Sequence, residues 1–424
     1  MDIELLKKCY SEFTANKPTF DKMYEYYKGN TDAIKNYQLV TERSNNKINT
    51  NFIKKFIKEE VSYSVGNEIT YISKSGNADI INDIDYYLEH WSEGHDGNLA
   101  KNMLIYSQAY ELYYIDNEGQ FSSKIIPPNR GYAMIDDFGD ISFFMHIFNM
   151  KFDDTTYIDV YTDNEILHFN DKFSMISPAT PHIFKAVPVS LCKLSDEMQD
   201  DTLFKDLKGL QDAYETNLSD ISNEISDFRN AYLTLTGVQI DKEDIPDMKK
   251  LGVIQIKNKD GKAAWLIKNI NDQFIQNTLG TIEDKMYQLS SHINNNEKMQ
   301  SNTSSLALRS RLISLEEKCK LNQKSIADCI KTRLKMLFIY LKWLKNKDYD
   351  YRDIKIKFTP NIPQDDLMMS QIISQLGDKL STETGIAQLS FIENPKNEIK
   401  KIEKEREETS IGKSYLDNAG GTNE

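Results

Sequence analysis

The chain has 424 residues, of which 39% are hydrophobic and 28% are charged, and its formal net charge at pH 7 is -13. This length allows two or three domains, and the composition is that of a folded chain with a large hydrated surface. The acidic balance argues against tight nucleic-acid binding, because neutralisation of phosphates by Lys and Arg supplies most of that affinity. It remains compatible with a protein through which DNA slides, because an acidic wall repels phosphates.

Sequence motifs of metal binding and catalysis are missing. The cysteines, Cys9, Cys192, Cys319 and Cys329, are scattered, and their spacing indicates neither a metal site nor an oxidising compartment. No G-x-x-x-x-G-K-[ST] loop, H-E-x-x-H helix or G-x-S-x-G turn occurs. The most apolar run, residues 336–344, is too short to span a membrane. We therefore expect a protein that is made in the cytosol, with no enzyme activity, cofactor or membrane association.

The first half of the chain is predicted to combine helices with antiparallel hairpins. Residues 3–28 favour a helix with a break near Pro18. A helix from about Asn51 leads to a strand at 68–72, and residues 79–106 predict one or two further helices. Three strand-rich stretches follow, with turns at 116–119, 136–140 and 163–164. Because no helix separates these stretches, they predict an antiparallel sheet.

Asp136, Asp137 and Asp140 crowd the second of these turns. Clustered carboxylates can hold a divalent cation through their oxygen atoms, and a metal-dependent DNA-processing enzyme is the alternative function that they suggest. Tight turns select the same residue type, because an Asp side chain accepts hydrogen bonds from nearby backbone N–H groups. We favour the turn and predict no metal site and no catalytic residue here.

A long amphipathic helix is predicted from Leu207. Its apolar positions advance in alternating steps of three and four residues, which places them on one face of a helix. These positions are Leu207, Leu210, Tyr214, Leu218, Ile221, Ile225, Phe228 and Tyr232. The opposite face carries Asp212, Glu215, Asp220, Glu224, Asp227 and Arg229. We expect this second face to be solvated.

Residues 233–269 interrupt the helices and include a hairpin pattern with its turn at 259–261. The segment 237–269 contains seven Lys residues and five acidic residues, so this insertion is basic in an acidic chain. A docking surface is one interpretation, and its residues would be Lys249, Lys250, Lys257, Lys259 and Lys262. A solvated hairpin is the other, and charge alone does not separate the two.

Two more helices flank a polar stretch at 290–303. The second helix is predicted from Asn271 or Asp272, with apolar positions Ile275, Leu279, Ile282, Met286 and Leu289. The third opens at Ser304 or Ser305, and its stripe runs from Leu308 to Leu344. Asn322 interrupts this stripe, which predicts a bend or a polar contact. Residues 353–363 favour a strand, 364–408 further helices and 409–424 a disordered tail.

Several stretches resemble the portal proteins of long-tailed double-stranded DNA bacteriophages. They are HIFKAVPVSL from His182, DLKGLQDAYETNLSDISNEISDFRNAYLTLTG from Asp206, GVIQIKNKDGKAAWLIKNI from Gly252, NTSSLALRSRLISLEEKCK from Asn302 and IKIKFTPNIPQDD from Ile354. The resemblance lies in their order and separations, and it covers most of the chain from about residue 20 onward.

The resemblance implies an α+β portal fold divided into named parts. These are a wing (1–206), a first stem helix (207–232), a clip (233–269), a second stem helix (270–289), a tunnel loop (290–303), a long wing helix with a strand (304–363) and a helical crown (364–408). It also implies a homo-oligomeric ring, dodecameric in the capsid, at one vertex of the virion. The ring would assemble in the host cytoplasm. A long helix with one apolar stripe and one acidic face can pack against neighbouring copies while presenting charge to the channel, and the sequence leaves open which face of the stem helices lines it.

In this family the ring is the conduit for DNA packaging and ejection. The implied partners are the terminase large subunit, which hydrolyses ATP, a head–tail adaptor, and the major capsid and scaffolding proteins. Tunnel-loop residues expected to face DNA are His292, Asn294, Asn295, Asn296, Glu297, Lys298 and Gln300. A third possibility is an unrelated α+β binding module, which predicts a compact monomer.

Overall fold

The structure, a computed structural model, describes residues 2–38, 45–197, 199–228, 232–236, 262–266, 272–294, 305–359, 366–386, 389 and 398–404. Helices and antiparallel sheets are both present, as the predicted α+β class requires. Met1–Ser301 together with Arg309–Pro360 form one compact unit, and Asn302–Leu308 with Asn361–Glu424 form a second. None of the helices in the described ranges is both long and apolar enough to cross a membrane.

The N-terminal part of the first unit is helical. Its elements are α1 (Ile3–Lys28), α2 (Asp32–Lys35), α3 (Phe52–Val65), α4 (Ala78–Leu88) and α5 (His95–Tyr106). The break predicted near Pro18 is wrong, because α1 runs through the proline without interruption. Phe13 before the proline and Phe20 after it are both buried, so packing on both sides outweighs the lost backbone hydrogen bond. Gly29 ends the helix with φ +90°, a left-handed conformation that favours glycine.

Two antiparallel sheets follow, where the sequence predicted one. The strands are β1 (Thr70–Ser73), β2 (Gln108–Ile115), β3 (Phe121–Ile126), β4 (Gly131–Ile135), β5 (Ile141–Asn149), β6 (Thr156–Tyr161), β7 (Glu165–Asn170), β8 (Met175–Pro181) and β9 (Val189–Lys193). The three predicted hairpins are confirmed as β2–β3, β4–β5 and β6–β7. The later strand β9 pairs with the free edge of β2, giving the sheet β3-β2-β9, and β4 to β8 form the other sheet.

The three long predicted helices are present. They are α6 (Leu203–Phe228), α7 (Asp272–Ser290) and α8 (Ser305–Lys345). Between α6 and α7 the short strands β10 (Tyr232–Thr236) and β11 (Lys262–Leu266) pair with each other, so Tyr232 belongs to a strand and not to the helix. After α8, β12 (Ile354–Lys357) pairs with β1. In the second unit, α9 (Asp366–Leu376), α10 (Thr382–Ile386) and residues 398–404 are helical as predicted.

Most stripe residues of α8 form the main core. Ile326, Ile330, Leu334, Leu337 and Leu341 are buried against α4, α5 and the β2 sheet. A second core joins α1, α3 and α5 to α6 and α7 through Leu207 and Met286. Three predicted stripe residues are exposed instead, and these are Ile225 (58%), Leu289 (55%) and Leu344 (46%). Each lies near the end of its helix, where no neighbouring element covers that face within the described residues.

The polar face of α6 lies against residues 46–52 of the same chain, which lead through Asn51 into the first residue of α3, Phe52. Polar side chains at every fourth position of the helix accept hydrogen bonds from alternate backbone N–H groups of this stretch. The pairs are Asn223 with Asn46 (2.6 Å), Ser219 with Ile48 (2.9 Å), Glu215 with Thr50 (2.9 Å) and Gln211 with Phe52 (3.2 Å). We call these four pairs the polar ladder.

The polar ladder follows from the repeat lengths of its two partners. Four residues of helix advance about 6.0 Å, and two residues of extended chain advance about 6.6 Å. The two repeats therefore stay nearly in step over the first three rungs, and the fourth rung is at Phe52, where α3 begins. Residues 46–50 belong to no strand, so these side chains supply acceptors for backbone N–H groups that lack a partner strand.

The expectation that the charged face of this helix is solvated is wrong for its central residues. Glu215 is fully buried, and its carboxylate also accepts the Thr31 hydroxyl at 2.5 Å. Asp212 and Asp220 accept the hydroxyls of Tyr26 (2.8 Å) and Tyr37 (2.6 Å). The side chains of Asp227 and Arg229 lie outside the described part of the chain. In α6, hydrogen bonding within one copy thus occupies much of the charged face of the helix.

Removing one rung tests the polar ladder. We expect Ser219→Ala to lower the free energy of unfolding by about 0.5–1.5 kcal/mol, because the half-buried Ile48 N–H loses its acceptor. Urea denaturation followed by circular dichroism measures the change. Ser314→Ala is the matched control, because Ser314 is an exposed helical serine on α8. Equal stability of the two variants would contradict a stabilising role for the rung.

Candidate functional site

Glu60 of α3 connects α7 and α8, the helices on either side of the predicted tunnel loop. Its buried carboxylate accepts hydrogen bonds from Lys318 Nζ at 2.7 Å and from Asn322 Nδ2 at 2.9 Å, both on α8. Lys318 Nζ also donates to the carbonyl oxygen of Ser290, the last residue of α7, at 3.3 Å. The two chain positions that flank residues 291–317 are therefore held together at one buried carboxylate. We call Glu60, Lys318, Asn322 and Ser290 the loop anchor.

The loop anchor has the electrostatics of a buried charge cluster. Burial outweighs the neighbouring Lys318 and Asn322 and raises the pKa of Glu60 above its ordinary value. The predicted polar contact at Asn322 is confirmed, and α8 continues through it. Sequence reasoning missed Glu60, because an acidic residue among lysines in an amphipathic helix has the same pattern as a solvated one.

His292 is buried and not exposed in a loop, contrary to the prediction that its side chain faces DNA. The imidazole is buried beneath Phe56, with ring centroids 4.4 Å apart. Its Nε2 lies 3.1 Å from the carbonyl oxygen of Phe56 and its Nδ1 lies 2.8 Å from that of Ser290. Burial and the nearby Lys318 lower the pKa of His292 to about 3, so the ring is neutral at physiological pH. It fastens the end of α7 to α3.

The other predicted site residues divide between described and undescribed parts of the chain. Asn294 is half-buried, and its amide donates to Glu283 of α7 at 3.4 Å. Lys262 is the first residue of β11, opposite Thr236 of β10. The residues outside the described ranges are Asn295, Asn296, Glu297, Lys298, Gln300, Lys249, Lys250, Lys257 and Lys259. The predicted partner arm of the hairpin at 259–261 also lies outside them.

A second buried ionic cluster fixes α8 to the β2 sheet. Arg333 is 2% exposed, and its guanidinium donates to Glu111 at 2.9 Å and to Asp96 at 2.6 Å. Glu111 is fully buried and also accepts the Tyr113 hydroxyl at 2.9 Å, while His95 Nε2 lies 2.8 Å from it. Burial alone would raise the pKa of Glu111, but Arg333, His95 and Tyr113 outweigh it and lower the pKa to about 2.

Asp136, Asp137 and Asp140 lie in the turn between β4 and β5. The Asp136 carboxylate accepts the backbone N–H groups of Phe138 and Asp140, each at 2.9 Å. Gly139 completes the turn with φ +90°. Within the described ranges, no group of three or more His, Cys, Asp or Glu side chains could hold a metal ion. The turn explains these residues, and nothing in their geometry supports the metal-dependent enzyme.

Comparisons with known proteins cover nearly the whole chain. The chain is 24% identical over 417 residues to the portal protein of Bacillus phage SPP1, a match that covers 91% of this chain and 81% of that protein. Among solved structures it is similar to a chain in the neck of an empty gene transfer agent particle. That match has a TM-score of 0.48 and 9% identity, and it covers 79% of this chain and 89% of the other.

A second solved structure, the neck of the native gene transfer agent particle, matches with a TM-score of 0.44, 9% identity, and coverage of 80% of this chain and 89% of that one. The family model described as phage portal protein, SPP1 Gp6-like, matches residues 6–412. This match includes both cores, the polar ladder and the loop anchor. The chain therefore belongs to the SPP1 Gp6-like family of phage portal proteins.

Proposed function

We propose that copies of this chain form a closed ring, a dodecamer in the capsid, at one vertex of the virion. The viral DNA is packaged and ejected through the axial channel of the ring. The chain acts as a structural conduit, and the terminase large subunit supplies ATP hydrolysis. Family membership over residues 6–412 supports this function. The single structural observation that supports it best is the loop anchor, which holds both ends of residues 291–317 at Glu60.

A chain segment whose two ends are fixed by the loop anchor is suited to contact moving DNA. Contacts with a sliding phosphate backbone must be weak, and the amides of Asn294, Asn295, Asn296 and Gln300 with the single cation Lys298 meet that condition. The forces on such a segment pass to its two ends. A buried ion pair resists them, because pulling Lys318 away from Glu60 would leave a charge in an apolar core. The ends of the polar segment thus stay in place while its side chains contact DNA.

The parts of the chain then take the following roles. Residues 1–206 and 304–363 form the wing, 207–232 and 270–289 the stem, 233–269 the clip, 290–303 the tunnel loop and 364–408 the crown. The clip docks the terminase and later the head–tail adaptor through its lysines, Lys249, Lys250, Lys257, Lys259 and Lys262. The wing and crown contact the capsid and scaffolding proteins. Assembly takes place in the host cytoplasm.

A packaging assay tests the tunnel-loop role. We would replace residues 295–300 by a Gly-Ser segment of equal length and co-express the variant with the capsid and terminase proteins. We expect rings to be present at the procapsid vertex, as imaged by electron microscopy, and nuclease-protected DNA per capsid to fall at least about tenfold. The matched control changes Asn117→Gly and Glu118→Ser in the exposed β2–β3 turn. Normal packaging by the loop variant would contradict the assignment.

A further inference from the structure

The exposed face of α8 carries a row of lysines that no other element covers within the described residues. Lys320, Lys324, Lys331, Lys335 and Lys342 are all exposed. They extend along about 33 Å of helix, at 1.5 Å per residue. Lys320, Lys331 and Lys342 have acidic neighbours at 2.7–2.9 Å, whereas Lys324 and Lys335 have no ion pair with any described residue. Leu321, 61% exposed, lies beside this row, about 60° around the helix from Lys324. We call the five lysines the lysine strip.

An acidic cleft lies on the other side of α8. It encloses about 1010 Å³, and Arg333 of α8 forms part of its wall. Exposed carboxylates surround it, namely Glu68, Asp85, Glu89 and Glu93. Burial, together with the charges of Glu68 and Glu89, raises the pKa of Asp85, so these carboxylates repel one another. The two basic groups of the wall, Arg333 and His95, are already bonded to Glu111.

The lysine strip and Arg333, which forms part of the cleft wall, lie on opposite sides of α8. At about 100° per residue, Lys324 and Lys335 lie within about 20° of the direction opposite to Arg333 on the helix. A closed ring needs two different complementary surfaces on opposite sides of each copy, because every interface joins one surface of a copy to the other surface of the next. The described part of the wing has such a pair of surfaces, of opposite charge.

We propose that the lysine strip of one copy docks into the acidic cleft of the next copy around the ring. This inference rests on the proposed ring and names its wing-to-wing contact. The apolar side chains inside the cleft, among them Leu88 and Trp91, offer cover for the exposed Leu321. Each exposed ion pair contributes little alone, but the same contact repeats at every interface of a closed ring. Charge complementarity also fixes the register between neighbouring copies.

Charge reversal on each side tests the contact. The strip variant is Lys324→Glu with Lys335→Glu, and the cleft variant is Glu68→Lys with Glu89→Lys. Each variant alone places like charges at every interface, and we expect its ring fraction, measured by mass photometry of full-length protein, to fall at least about tenfold. An equimolar mixture of the two variants should recover rings. When the variants alternate, every interface again pairs opposite charges, and a dodecamer has the even number of copies that alternation needs.

Matched controls carry the same charge changes at exposed positions on other elements. They are Lys151→Glu with Lys172→Glu, and Glu118→Lys with Glu165→Lys. Both controls should form rings at the level of the unchanged chain. Rings formed equally by all variants would overturn the strip-to-cleft contact while leaving the proposed function intact. Failure of the mixture to recover rings, with both variants folded by circular dichroism, would also overturn it. Failure of the unchanged chain to appear as a ring, even in procapsids, would instead contradict the proposed function.

Discussion

Replacing Arg333 by Met is expected to lower the free energy of unfolding by about 3–5 kcal/mol, because it leaves Glu111 ionised and buried without its cation. Met keeps much of the side-chain volume, so the change reports the charge more than a cavity. Thermal and urea unfolding of the full chain measure it. The matched control is Arg352→Met, which removes an exposed arginine paired with Asp350 at 2.9 Å and should leave the free energy of unfolding nearly unchanged.

The pH dependence of the same pair gives an independent check. The folded-state pKa of Glu111 is about 2, below its ordinary value of 4.5. Its ionised form therefore contributes stability above pH 4.5, and this contribution is lost as the pH falls from 4.5 towards 2. The stability gap between the unchanged chain and Arg333→Met should narrow over that range. Two results would contradict a stabilising role of the Glu111–Arg333 ion pair. One is a stability difference that stays constant with pH, and the other is a loss of stability in Arg333→Met no larger than that in Arg352→Met.

Replacing Glu60 by Ala is expected to cost about 3 kcal/mol and to loosen both ends of residues 291–317. The cost lies at the lower end of the range for a broken buried pair, because Lys318 is 30% exposed and can turn to water. Faster amide hydrogen exchange at 290–294 and 312–318 would report the loosened ends. Packaging should fall as well if the excursion contacts DNA. Glu59→Ala is the control, because Glu59 is 35% exposed and pairs with Lys55 on the same helix, and the His292 ring that lies 3.8 Å from it is neutral.

Glu60 and Glu111 should respond to pH in opposite directions. The folded-state pKa of Glu60 is raised, so its contribution to stability is complete at low pH and is lost as the pH rises through that pKa. The Gln side chain of the Glu60→Gln variant cannot ionise, so this variant lacks the loss of stability that Glu60 causes as the pH rises. The difference in free energy of unfolding between the unchanged chain and Glu60→Gln should therefore be largest below pH 4.5 and smaller at higher pH. The same cost at every pH, or equal effects of Glu59→Ala and Glu60→Ala, would argue against the loop anchor.

Repeating local patterns determined much of the fold in advance. The apolar stripe of α8 places Ile326, Ile330 and Leu334 in the core as predicted, because 3.6 residues per turn leave little choice of buried face. The three hairpins follow from turn residues between strand-forming runs. The second sheet could not be predicted from local sequence patterns, because the pairing of β9 with β2 joins residues about 80 positions apart. No local pattern encodes such a partner.

The sequence by itself determined the helices, the hairpins, the turn at Asp136–Asp140 and the family. Only the tertiary structure decided which charged residues are buried. Glu60, Glu111, Glu215 and Arg333 have the same local patterns as solvated residues, and each is buried because its partner comes from a distant element. The physical reason is that burying a charge is favourable only where fixed partners replace water. Those partners come together only once the chain is folded, so no local sequence pattern distinguishes these buried charges from solvated ones.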